Sequence, residues 1–179
     1  GCPLAMAMYA LALAPLTKRL QSDCKQVWYA DDATGCDKLE KLRGWFDRLL
    51  DEGPAYGYYP KPSKCILVVK PDRLARANEI FKGSNVHREG TRHLGAAVGN
   101  TDFKRSYLTK KIDGWVSAVK KLAFIAATQP HAAFATFTQC LQGQWTFLSR
   151  TMLDAADLFP PLEESIHKDF TGSPQSGCQ

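Results

Sequence analysis

The sequence is short of the signatures that would place it among metal-stapled, secreted or membrane proteins. Six cysteines (Cys2, Cys24, Cys36, Cys65, Cys140, Cys178) form no CxxC pair. The four histidines (His87, His93, His131, His167) keep no zinc-finger spacing with them. Isolated, reduced thiols, several of them buried, in an intracellular protein are the expectation. No run of 18 apolar residues exists, so no membrane span is expected. Residues 3–16 are apolar, but no basic residue precedes them. Lys18 and Arg19 follow instead, the reverse of a secretion signal. Position 1 is Gly and not Met, which reads as a segment opening inside a longer chain. There is no internal repeat and no nucleophile elbow around any serine.

What is present supports a folded core. Apolar residues make up 45% of the 179, which excludes wholesale disorder and suits one domain or one and a half. Lys plus Arg total 23 against 18 Asp plus Glu, a net charge of +5 that permits a polyanionic partner. The charge is uneven. Residues 101–128 carry six basic side chains against two acidic, and residues 129–179 carry two against five. Any phosphate-facing surface therefore belongs before about residue 128.

The pattern along the chain predicts an α+β fold. Leu4 to Leu20 is rich in helix formers and apolar almost all round, which predicts a buried helix that Pro15 kinks or ends. Gln26-Val27-Trp28-Tyr29 has strand composition. Asp31-Asp32 break it and Thr34-Gly35-Cys36 return, a hairpin. Asp37, with Glu40 three residues on, suits a capping box for a helix carrying Leu39, Leu42, Phe46, Leu49 and Leu50, ended by Gly53-Pro54. Cys65 to Val69 reads as a buried strand and Leu74 to Phe81 as a short helix closed at Gly83. Arg92 to Val98 suits a hairpin. Phe103 to Ala127 and about Ala132 to Leu153 read as helices, and Pro160-Pro161 bar continuation. Trp115 and Trp145, at helical spacing among apolar neighbours, are expected in a core. Residues 1–99 are thus mixed α and β, 100–170 all-helical, and 171–179 a loose tail, with the boundary near Asn100.

The sharpest feature is Tyr29-Ala30-Asp31-Asp32. Inside a strand two adjacent carboxylates point to opposite faces, whereas at a hairpin turn both can converge. Their repulsion is relieved by a hard divalent cation, Mg²⁺ above all. An exposed Asp-Asp turn is commonplace in itself. Trp28 and Tyr29 behind this one favour the metal reading.

Taken together, four segments resemble reverse transcriptases of the non-LTR retrotransposon-like class. Tyr29-Ala30-Asp31-Asp32 resembles the catalytic hairpin. Gly1-Cys2-Pro3-Leu4-Ala5-Met6 looks like motif B, and Gly57-Tyr58-Tyr59-Pro60-Lys61-Pro62-Ser63-Lys64 before a strand looks like motif D. Arg92-His93-Leu94-Gly95-Ala96 resembles the primer-grip hairpin, motif E. The basic helices beyond are similar to a thumb. The resemblance covers residues 1–128 well and the rest loosely. It implies a partial right-hand polymerase palm over 1–99, a catalytic hairpin and sheet with packed helices. A helical thumb over 100–170 would follow, and 171–179 stay a flexible tail.

The implied activity is RNA-directed DNA polymerisation by a retroelement, with RNA or DNA template, DNA primer and dNTPs, and no membrane. Asp31 and Asp32 would hold two Mg²⁺ ions, with Mn²⁺ as the substitute, for in-line displacement by the primer 3′-hydroxyl. Gly1, Pro3 and Tyr29 would lie against the nucleotide and template. Lys64 would neutralise the leaving pyrophosphate, or stand as an ordinary solvated lysine. His93, Leu94 and Gly95 would follow the primer, or form a plain structural hairpin. Lys110, Lys111, Lys120 and Lys121 would touch nucleic-acid backbone without reading bases, or make a solvated helix face. A retroelement life cycle implies a nuclear step, and no local targeting signal accompanies it.

Three departures from the family pattern stand out: Cys2 after the motif B glycine, Lys61 where motif D often has Asn, and no fingers or motif A. The motif A aspartate would come from an upstream region of the same polypeptide, so these residues alone are expected to be inactive. The competing expectation is a non-catalytic relic that at most binds nucleic acid through its basic helices. An unrelated metal-dependent nuclease is a third, with nothing else in the chain assembling a nuclease site.

Overall fold

The computed structural model describes residues 3–172. They are mixed α and β, with helices predominating and strands confined to three two-stranded sheets. The chain divides into two compact units, Gly1–Arg88 and Glu89–Gln179, each with its own apolar core. No helix among the described residues is long and apolar enough to cross a membrane.

The first unit opens with α1 (Ala5–Leu20). Lys18 and Arg19 in its last turn complement the helix dipole. The helix runs through Pro15 without ending. Proline removes the bond to the Leu11 carbonyl, and Leu11 is 74% exposed, so water can take that carbonyl. The expectation of a buried helix holds for one face alone. Leu13, Leu16 and Leu20 are buried, whereas Leu4, Met6 and Met8 are exposed.

The hairpin of β1 (Lys25–Tyr29) and β2 (Asp32–Cys36) follows, antiparallel, with Tyr29 opposite Asp32 and Val27 opposite Thr34. Next comes α2 (Leu39–Glu52), which buries Leu42, Trp45, Phe46 and Leu49 at i, i+3, i+4 and i+7. These join Leu13, Leu16, Leu20, Cys24 and Phe81 in one core. The expected Asp37–Glu40 capping box is not made. Lys38 occupies the cap position, so Asp37 stands one residue too early and its carboxylate accepts from the Lys38 amide at 2.7 Å.

Short elements complete the unit: β3 (Ile66–Val68), α3 (Leu74–Ile80) and β4 (Asn85–His87). Strand β3 pairs in parallel with β4 alone. With a single neighbour it is not buried as expected, and Ile66 is 50% exposed. Among the described residues the strands form separate two-stranded pairs.

The second unit starts with the hairpin β5 (Gly90–His93) and β6 (Ala96–Gly99). The contact boundary falls before this hairpin, between Arg88 and Glu89. Ala97 belongs to the second core, and the Asn100 amide donates to the Glu89 carbonyl at 2.7 Å. Helix α4 (Thr101–Ala126) is capped by the Asn100 side chain, which accepts from the Phe103 amide at 2.8 Å. It buries Leu108, Ile112, Trp115, Val119 and Leu122.

The next helical run is in three parts: α5 (Pro130–Thr136), a wide π turn (Phe137–Leu141) and α6 (Gln142–Thr151). Trp115 and Trp145 meet edge-on, centroids 6.0 Å apart, in the expected core. Pro160 and Pro161 do not merely stop a helix. They open α7 (Pro160–Ser165), where the missing N–H groups have no intrahelical partner to lose. A second π turn, Ile166–Thr171, closes the described chain.

Candidate functional site

The β1–β2 hairpin alternates cleanly. Gln26, Trp28, Ala33 and Gly35 are half-buried, and the other face shows Lys25, Val27, Tyr29, Asp32, Thr34 and Cys36. Trp28 and Ala33 pack against the first core. Pairing of Tyr29 with Asp32 leaves a two-residue loop, Ala30-Asp31. Ala30 has φ of 52°, a left-handed conformation in which a non-glycine residue costs on the order of 1 kcal/mol. Tight hairpin loops need this twist and usually take Gly or Asn to supply it.

Asp31 and Asp32 are both exposed at this turn, and neither carboxylate has a hydrogen-bond or ion-pair partner among the described residues. Tyr29, 64% exposed, lies beside Asp32 across the strands. Adjacent, unneutralised carboxylates offer hard oxygen ligands of the kind Mg²⁺ or Mn²⁺ accepts, with water filling the remaining positions. No group of three or more His, Cys, Asp or Glu side chains gathers at one point among the described residues. The donor set thus fits one side of a cation.

The turn is tied to the rest of its unit by Tyr58. Its hydroxyl donates to the Asp31 backbone carbonyl at 2.9 Å, and its ring meets Trp28 edge-on at 5.2 Å. Tyr58 is carried there by the 3₁₀ turn Gly53–Tyr56 and a left-handed Gly57 (φ 74°). The Tyr58 amide closes this reversal onto the Gly53 carbonyl at 3.0 Å. A Cβ on Gly53 would lie 2.6 Å from the Tyr58 carbonyl oxygen, so only glycine fits there. Burial pushes the Tyr58 phenol up to about 12, with Tyr9 adding to it, so the group stays a donor at neutral pH.

Lys64 ends the 3₁₀ turn Pro62–Lys64 just before β3 and is exposed. It forms no ion pair with Asp31 or Asp32. Pro3 is exposed ahead of α1, and Gly1 lies outside the described residues.

In the second unit His93 pairs with Ala96, so Leu94-Gly95 is again a two-residue loop. Both residues are left-handed, with φ of 48° and 90°. The Tyr107 hydroxyl donates to the Gly95 carbonyl at 2.7 Å. Leu94 is 45% exposed, and a Cβ on Gly95 would come within 3.3 Å of the Phe147 ring.

The basic residues of α4 separate into two groups. Lys104 pairs with Asp154, and Arg105 grips Asp157 through two bonds of 3.0 and 2.6 Å. Hydrogen bonds from these cations hold both carboxyls below the usual aspartate range. Lys110, Lys111, Lys120 and Lys121 are exposed and have no ion-pair partner among the described residues, although Lys111 lies 5.9 Å from the Tyr107 ring centre. These four are the lysines that sequence reasoning singled out. The two tyrosines were missed, because nothing in the sequence joins Tyr58 to a turn 27 residues upstream or Tyr107 to one 12 residues back.

The chain matches no protein-family model, no curated protein and no solved structure.

Proposed function

We propose that the chain is the palm and thumb portion of a retroelement's RNA-directed DNA polymerase. The observation that carries this reading is the exposed, unpartnered Asp31-Asp32 pair at a strained two-residue hairpin loop. Asp31 and Asp32 would hold Mg²⁺, which supplies activation of a primer hydroxyl and charge neutralisation on the triphosphate. Tyr29, beside Asp32, offers an exposed ring face to a base or sugar. Lys64 offers an exposed cation to the departing pyrophosphate. The left-handed Leu94-Gly95 loop presents backbone to a primer strand, and the four unpaired lysines of α4 suit phosphates.

Two carboxylates form an incomplete two-metal site, so the activity is assigned to the polypeptide that also carries a motif A aspartate. The test is Mg²⁺-dependent primer extension. Residues 1–179 alone are expected to be inactive, and the same residues joined to their upstream reading frame to be active. Asp31→Ala should abolish that synthesis. A longer polypeptide whose synthesis survives Asp31→Ala would sink the reading.

One observation favours a second reading, a nucleic-acid-binding relic: Lys110, Lys111, Lys120 and Lys121 are exposed and have no ion-pair partner among the described residues, a feature that binding needs without any metal site. An upstream frame broken by stop codons, with salt-sensitive binding retained, would select it.

A further inference from the structure

The two hairpin loops solve the same problem in the same way. In each, the first loop residue is a non-glycine held left-handed, Ala30 at 52° and Leu94 at 48°. The carbonyl of the second loop residue, Asp31 or Gly95, accepts from a tyrosine hydroxyl brought from elsewhere in the chain, at 2.9 and 2.7 Å. Such a backbone persists only where its surroundings over-determine it. At the Asp31 loop the surroundings are few. Its sheet has two strands, and Val27 and Tyr29 on the open face are 70% and 64% exposed. The phenol is the side chain that ties the Asp31 carbonyl of the loop itself to the folded unit.

We propose that Tyr58 is a positioning residue for the Asp31-Asp32 pair, its hydroxyl fixing the Asp31 carbonyl so that both carboxylates stay presented to one cation. This rests on the metal-binding reading of that pair. Three observations agree with the role. The Tyr58 side chain is half-buried. The ring is braced edge-on by Trp28, which is itself in the hairpin. The Gly53 and Gly57 reversal sets Tyr58 against the loop and leaves its neighbour Tyr59 69% exposed.

The test uses the full 179-residue chain with Mn²⁺ as probe, read by the signal of free Mn²⁺ in electron paramagnetic resonance. Amide exchange over residues 25–36 is measured beside it. The unsubstituted chain should take up Mn²⁺, and the Asp31→Asn/Asp32→Asn double variant should not. Tyr58→Phe should bind about fivefold more weakly and exchange its loop amides about fivefold faster, the scale of one lost hydrogen bond, while α4 exchanges as before. Tyr59→Phe should change neither. Adding Ala30→Gly to Tyr58→Phe should restore most of the affinity, because glycine no longer needs to be held.

Faster exchange with unaltered Mn²⁺ affinity would make the phenol a structural brace only and overturn the proposal. No change in either readout would overturn it too. Absence of Mn²⁺ uptake by the unsubstituted chain would remove the metal reading and the proposal with it. In that case the exchange data would still report whether the phenol holds the loop. Should Tyr58→Phe fail to fold, the Ala30→Gly background supplies the comparison, with the phenol present and absent.

Discussion

The indole N–H of Trp45, on helix α2, donates to the side-chain oxygen of Gln26, on strand β1, at 2.9 Å. The same oxygen accepts from Trp28 at 3.2 Å, and the Gln26 amide donates to the Thr17 carbonyl of α1 at 2.6 Å. One side chain thus joins a helix, a hairpin and a second helix where Trp45 is nearly fully buried. Gln26→Met keeps the bulk and removes every partner. The expected loss is about 2 kcal/mol, because two indole donors and a carbonyl are left unpaired. Urea unfolding followed by tryptophan fluorescence measures it, and a loss below about 0.5 kcal/mol would show that water replaces the amide at no cost.

Gly35 and Gly44 should respond oppositely to alanine. A Cβ at Gly35 would lie 2.8 Å from Leu42 Cδ1, 3.1 Å from the Trp45 ring and 3.2 Å from Cys24 Sγ, all in the core. Overpacking of this kind costs about 1–3 kcal/mol. Gly44 sits exposed within α2 with nothing within 4 Å, so Gly44→Ala should stabilise by about 0.5–1 kcal/mol. Thermal melts of the two variants decide the point, and equal shifts would contradict this packing of the hairpin.

Tyr58 predicts a particular alkaline response. Its pKa is raised from 10.0 to about 12 in the folded chain, so the folded state binds the proton more tightly than the unfolded one. Its contribution is complete below pH 10 and is lost as the pH climbs towards 12. The whole span is worth about 2.7 kcal/mol, and partial exposure of the side chain trims that to roughly 1 kcal/mol through solvent screening. Tyr58→Phe should lower stability at pH 8 and flatten the fall between pH 10 and 12 relative to the unsubstituted chain. Parallel curves would refute the assignment.

The division of basic residues in α4 can be read from salt dependence. For binding to a nucleic-acid duplex, replacing Lys120 or Lys121 by Gln should reduce the slope of log affinity against log salt by about 1 each. Lys104→Gln should leave the slope nearly unchanged, because Asp154 already neutralises that charge. Equal effects at Lys104 and Lys121 would mean that the Asp154 pair opens on binding.

The long helices and the two tight hairpins were legible because each rests on a local pattern: Leu108, Ile112, Trp115 and Val119 on one face, or Asp31-Asp32 between apolar strands. What escaped were properties set by neighbours. A helix apolar all round, such as Leu4 to Leu20, carries no stripe that says which face is covered, so the exposure of Met8 and Leu11 was unreadable. Strand β4 has three residues and exists only because β3 lies beside it. Asp37 has the right residue type and spacing for a cap, yet the helix starts one residue later, a difference within the usual uncertainty of helix ends. At the candidate site the carboxylates and lysines were readable by type. The phenols that hold the loops were not, since a tyrosine's partner is decided by the fold.

The π turn at Phe137–Leu141 gives the run from Pro130 to Thr151 one residue more than an α-helix of that length would hold. Phe137 within it stacks on Phe170, ring centres 4.7 Å apart, and also faces Trp145. The surplus residue is absorbed on the spot, so Ala133 before it and Leu148 after it are both buried. A one-residue deletion inside Phe137–Leu141 would therefore keep those two residues in phase and cost mainly the aromatic stack. The same deletion at Thr146 would turn Leu148 and everything up to Thr151 by roughly 100° away from their partners. This helix can shorten at one place only, and that place is where its hydrogen bonding already skips a step.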